Sequence, residues 1–231
     1  MSTTHPVTLH CPSCEASQRV LMPESANVQR SPSWRTQVLD GTLNRFACEA
    51  CGAVFVVERD LLYTDLDRGV FIGVFARARR GEVAELSETI RRTFEEVVGT
   101  EAPRAVRESF PETRPRVVFG YAELREKVVC FDHGLDDRVV EAIKLALLEG
   151  IPGAAAARVS GLVLVEVQED GGLVLAPVGG DRPFGDRPFV VAPPAMVAEM
   201  HARAEHLAVL LPSLFNGPYV NLGSLPSPSS A

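Results

Sequence analysis

Four cysteines carry the clearest chemistry in this chain. Cys11 and Cys14 stand in "HCPSCEA" and Cys48 and Cys51 in "FACEACGA", two C-x2-C pairs with thirty-three residues between them. A C-x2-C pair on a tight turn sets two thiolates at neighbouring corners of a tetrahedron, and two such turns complete a four-thiolate zinc site. Gly52, directly after the second pair, is free to take positive φ, which lets backbone amides turn toward the sulfurs. Pro12 stiffens the first turn. Two other chemistries fit less well. A thioredoxin-like motif is a single C-x-x-C beside a βαβ pattern; here the pair occurs twice, and no βαβ pattern is legible. A disulfide framework is disfavoured by an odd count of five cysteines.

The compartment points the same way. "MSTTHPVTLHC" has no charged n-region followed by an apolar stretch, and no run approaches about eighteen apolar residues. The chain is expected to be cytoplasmic, away from membranes and reduced, where spaced cysteines are metal ligands more often than disulfides. The expectation is one structural zinc per chain, held by Cys11, Cys14, Cys48 and Cys51. His10 is a spare nitrogen that four thiolates leave without a role.

Composition narrows the function. The chain has 231 residues, 46% of them hydrophobic, and a net charge of −7. Nine basic and eight acidic residues fall in 1–80, leaving fourteen basic and twenty-two acidic beyond. Neither part has the basic excess that binds a phosphate backbone. "ARARR", 76–80, is the one basic run, and it reads as a solvated strand end. Aromatic residues make up 6%, with no basic–aromatic interleaving of the kind single-stranded nucleic acids need. No G-x-G-x-x-G, Walker A or G-x-S-x-G motif occurs.

The elements that must position the cysteines follow from pattern. "AVFVVE", after Gly52, alternates and is β-branched, so it predicts a strand. The gap between the pairs exceeds the compact zinc pattern of about fifteen to twenty residues and must hold something folded. "SPSWRTQVLDG", 31–41, predicts a short helix capped by Ser31, with Pro32 in its first turn and Gly41 at its end. "LLYTDLDRGVFIGVFARA", 61–78, reads as two strands about a polar turn, extending the same sheet. Residues 82–98 have Leu86, Ile90, Phe94 and Val97 at helical spacing, with Gly99 as the stop. "RVVFG", 116–120, predicts a strand and "YAELREKVVCF", 121–131, a helix. "DDRVVEAIKLALLEG", 136–150, is the clearest helix, with Asp136 as cap, Asp137 on the dipole and Val140, Ile143 and Leu147 as its stripe. "PGAAAARVSG", 152–161, reads as a linker, 162–178 as a hairpin turning at "EDGG", the duplicated DRPF in 179–189 as a loop, 194–211 as one helix, and "LPSPSSA" as a disordered tail.

Other chemistry-bearing clusters have simpler readings. His201, Glu205 and His206 in "HARAEH" miss the H-x-x-E-H zincin spacing by one residue and read as a solvated helix face. Asp132, His133, Asp136 and Asp137 sit where a helix needs a cap and negative charge. Glu126, Lys127, Arg138, Glu141 and Lys144 read as a structural charge network, with Glu141 and Lys144 at i,i+3. Cys130, among apolar neighbours, reads as a buried inert thiol.

"CPSC", "DGTLNRFACEACG", "LLYTDLDRGVFIGVF" and "RVVFGYAELREKVVCFDHGLDDRVVEAIKL" together resemble the bacterial CpXC protein family, over about residues 7–150. The second pair, "CEAC", lacks the proline of the first. The resemblance implies two cysteine motifs and supplies no catalytic residue. The expected fold is α+β. An N-terminal zinc ribbon of antiparallel strands with a short inserted helix spans 5–78, a helical region 79–151, a β-hairpin plus helix 159–223, and a disordered tail 224–231. The expected function is non-enzymatic: a protein-binding or adaptor module presenting the segment 27–43, with Trp34, the single tryptophan, either as its contact residue or as a hydrophobic plug packed over the ribbon. The alternative is a nucleic-acid-binding regulator using the ribbon.

Overall fold

The computed structural model describes residues 3–150, 159–178 and 189–222. The expected linker at 152–158, the DRPF loop at 179–188 and the tail at 224–231 lie outside the described residues. The fold is mixed α/β, with sheets and helices along the whole described length. The chain divides into two compact units, Met1–Val128 and Val129–Ala231.

The first unit is built on a five-stranded sheet in the order β1-β2-β5-β6-β7. Strands β1 (Thr3–His10) and β2 (Ser17–Asn27) form an antiparallel hairpin in which Pro6 faces Leu21 across the ladder. Strands β5 (Leu61–Asp65) and β6 (Val70–Phe75) are the pair expected at 61–78, and they extend the first hairpin's sheet. The expectation of purely antiparallel strands needs correction, because β2 pairs with β5 in parallel. Parallel neighbours need a long crossover. Residues 28–60 provide it, and they hold helix α1 (Ser33–Leu39) and a separate two-stranded hairpin, β3 (Arg45–Ala47) with β4 (Val54–Val56). Helix α1 starts later than predicted: Pro32 occupies the cap position and Ser31 makes no capping bond from its side chain. Arg125 Nε donates to the Leu39 carbonyl at 2.8 Å and holds the end of α1.

A second correction concerns βαβ structure. Strand β7 (Arg114–Phe119) pairs with β6 in parallel, and α2 (Val83–Val97) is the crossover between them. The sequence hid this because "VFIGVF" in β6 is buried at every position and shows no alternation, as strands covered on both faces do. Helix α2 buries Leu86 and Ile90 as predicted, but Val98 is enclosed and Val97 is exposed. A short helix that the periodicity missed, α3 (Arg104–Ser109), follows. Helix α4 (Tyr121–Asp132) begins in this unit.

In the second unit, α5 (Asp137–Glu149) is capped as predicted: the Asp136 carboxylate accepts from the Arg138 amide. Its burial is broader than a stripe. Val139, Val140, Ala142 and Ile143 are buried, and so is the Glu141–Lys144 ion pair at 2.7 Å. Glu141 also accepts the Leu222 amide at 3.0 Å. A three-stranded antiparallel sheet, β10-β9-β8, contains the expected hairpin of β8 (Gly161–Val167) and β9 (Leu173–Val178), with Gly171 in its turn at φ +87° and β10 (Val190–Ala192) alongside. The single helix predicted at 194–211 is broken at Arg203 into α6 (Pro194–Ala202) and α7 (Ala204–Leu210), and α8 (Pro212–Phe215) follows. No glycine or proline marks that break.

Gly73 shows how α2 seats on β6. A Cβ there would collide with the Ile90 side chain, which is buried. Gly73→Ala is therefore expected to cost about 1–3 kcal/mol by overpacking, read as a lower urea midpoint at unchanged slope. A neutral effect would mean that α2 does not rest on this strand.

Candidate metal centre

Each cysteine pair sits on the turn of one hairpin, and the two turns are built alike. In the first, the Cys11 amide donates to Ala16 O at 3.0 Å and the Glu15 amide to Cys11 O at 2.9 Å. In the second, the Cys48 amide donates to Ala53 O at 2.8 Å and the Gly52 amide to Cys48 O at 2.8 Å. The residue after each pair is left-handed: Gly52 at φ +72°, as its type predicts, and Glu15 at φ +61°. The sequence did not signal Glu15, since glutamate enters that region at a cost of about 1–2 kcal/mol.

The turns bring all four sulfurs within 4.8 Å of one another. Cys11 Sγ lies 3.7 Å from Cys51 Sγ, and Cys14 Sγ lies 3.6 Å from Cys48 Sγ. Cys11 and Cys48 are buried, Cys14 and Cys51 are exposed, and all are free thiols. The Ser13 amide donates to Cys11 Sγ at 3.4 Å. Enclosure raises the Cys11 thiol, but the Ser13 and Cys14 amides and the neighbouring thiols outweigh it and bring it down to about 6. The Ala16 amide favours the Cys14 thiolate, yet sharing the site with Cys51 and Cys48 pushes that thiol up to about 12. Sulfurs this close resist ionising together unless a cation joins them.

The second hairpin is anchored from outside. The Gln18 carboxamide donates to Ala47 O at 3.2 Å and accepts from the Glu49 amide at 3.2 Å. The Tyr121 hydroxyl accepts from Asn44 Nδ2 at 2.6 Å and from the Arg59 amide at 3.0 Å, and donates to Val57 O at 3.1 Å. Burial pushes the Tyr121 phenol above its usual range. Neither residue carried a motif that would have singled it out.

His10 is exposed and shares a hydrogen bond with Ser17 Oγ at 3.2 Å. Asp136 caps α5, and His133 is exposed. His201 lies in the last turn of α6, whereas Glu205 and His206 lie on α7, so the break at Arg203 separates them. Cys130 is buried. Trp34, on α1, is half-buried, with its indole N–H enclosed and without an acceptor. Among the described residues the four cysteines are the one group able to hold a metal ion, and no helix is long and apolar enough to cross a membrane.

Two matched hairpin turns presenting four clustered thiols define a cysteine-based metal-binding module. The CpXC protein family model matches residues 9–144, more than half the chain, and the chain belongs to that family. No curated protein and no solved structure matches it.

Metal ligation requires thiolates, so protons and metal compete for the cluster. The proton that the Cys14 thiol retains up to about 12 must leave on binding. Apparent metal affinity is expected to fall by on the order of tenfold or more per pH unit as pH drops from about 8 toward 6, followed by competition with a chromophoric chelator. An affinity flat across that range would show that these thiols are not the ligands.

Proposed function

We propose that the N-terminal unit is a zinc ribbon whose single zinc is structural and whose surface binds a protein. The observation that supports zinc is the sulfur geometry. Zinc–sulfur bonds of about 2.3 Å in a regular tetrahedron give sulfur–sulfur edges of about 3.8 Å, and the closest cross-hairpin pairs stand at 3.7 and 3.6 Å. Thiolates select zinc over hard cations such as magnesium or calcium. Four protein thiolates close the coordination shell and leave no position for water or substrate, which supports a structural role rather than a catalytic one. Spaced cysteines used as metal ligands suit a reducing, cytoplasmic setting.

Recognition of a protein is supported by surface chemistry. Val54 and Val56 on β4 are 55% and 50% exposed, beside the metal turn, and they share an outward face with Ala47 and Arg45 across the ladder. Trp34, partly exposed on the inserted helix, offers an aromatic anchor of the kind enriched at binding hot spots. The net charge of −7 favours a protein over nucleic acid.

Elemental analysis of folded, reduced protein is expected to give about one zinc per chain; a value near zero would overturn the zinc assignment. Trp34→Ala is expected to lower stability by less than the roughly 3–5 kcal/mol of a fully enclosed large side chain, while abolishing partner capture. A loss in that full range with capture intact would make Trp34 a packing residue. A gel shift with nucleic acid at moderate salt would replace the protein partner with the nucleic-acid reading.

A further inference from the structure

Side chains, rather than neighbouring strands, hold the second cysteine hairpin in place. Strands β3 and β4 form a two-stranded sheet by themselves, and a lone hairpin is marginal in water. At its open end the Tyr121 hydroxyl ties together Asn44, which precedes β3, and Val57 and Arg59, which follow β4. At its cysteine end Gln18 is the anchor among the described residues. Its two bonds go to Ala47 O and the Glu49 amide, the residues on either side of Cys48. Gln18 is 8% exposed, so both bonds are largely shielded from water. Its own backbone is fixed in the first hairpin, where Gln18 pairs with Leu9 in the ladder that leads into Cys11.

We infer that Gln18 is a positioning residue for the metal centre. The inference rests on the reading of the four cysteines as a metal site. Gln18 locks the main chain on both sides of Cys48 to the strand that leaves the Cys11–Cys14 turn, so the cross-hairpin sulfur pairs are set before any metal arrives. A glutamine suits this task because one carboxamide donates and accepts at once, matching a carbonyl and an amide that flank a single residue. Leucine has similar shape and can do neither. Without the clamp, the second turn must be brought to the first during binding, and the cost of ordering it is subtracted from metal affinity. This is the role that outer partners of metal ligands play when their loss weakens binding without removing a ligand.

The test uses the full-length chain, reduced and free of oxygen, titrated with cobalt(II) and then back-titrated with zinc. Wild type is expected to give thiolate-to-cobalt charge transfer and tetrahedral d–d bands, and Cys48→Ser, with one thiolate fewer, a weaker charge-transfer band at much lower cobalt affinity. Gln18→Leu is expected to bind cobalt about 10–100-fold more weakly, while its bands at saturation keep the tetrahedral positions. Equal affinity in Gln18→Leu and wild type would overturn the positioning role and leave the metal site standing. Absence of the bands in wild type would overturn the metal reading itself. A measurement on wild type alone guards against a variant that fails to fold: in the metal-free, reduced protein the Glu49 amide should be protected from hydrogen exchange. Exchange there at the rate of an unstructured amide would show that no clamp exists before metal binding.

Discussion

Four sulfur atoms confined within 4.8 Å of one another set the terms for the rest of the first unit. Left to themselves, thiolates at that spacing repel, and protonated thiols gain little by meeting. The backbone has to do the gathering. It does so twice with the same device, a hairpin whose turn folds its carbonyls and amides inward around a C-x2-C pair. The shared left-handed residue after each pair shows how strongly the turn dictates conformation. Gly52 takes it freely, and Glu15 takes it against its preference, which is acceptable only where the surrounding bonds outweigh the strain.

The two hairpins differ in what supports them. The first is continuous with the five-stranded sheet through β2 and β5, so its far end is stitched into a core that includes Tyr63, Phe71 and Ile72. The second has no such neighbour and relies on polar anchors at its two ends. Metal, if bound, joins a hairpin stitched into the sheet to one held by side chains alone. The stabilisation it provides is therefore concentrated in the residues between Asn44 and Arg59, while β2 retains its own ladder.

The sequence made the cysteine turns, the strands at 61–78 and the capped helix at 137–149 legible, because each has a local signature: repeated spacing, β-branched runs about a polar turn, an aspartate at the start of an amphipathic stretch. It concealed what depends on distant parts of the chain. The parallel pairing of β2 with β5 and of β6 with β7 leaves no trace in local pattern beyond the uniform apolarity of β6. Nothing in the local sequence singles out Gln18, since the bonds that define it run twenty-nine and thirty-one residues away. Glu141 and Lys144 read as part of a structural charge network from their i,i+3 spacing, but that spacing does not show that both are buried, which follows because the helix that carries them is covered on nearly every side.

Pro6 lies in β1, at the outer border of the five-stranded sheet. A proline has no amide hydrogen to offer, so a strand approaching that border finds a gap in the row of donors it would need. The sheet is thereby discouraged from recruiting further chains by strand addition, even though eight residues of β1 lie along its margin. For a protein whose exposed thiols, Cys14 and Cys51, sit just past the end of the same hairpin and on its neighbour, that guard has a chemical side. It limits the edge-to-edge stacking that would bring the cysteines of separate molecules close to one another.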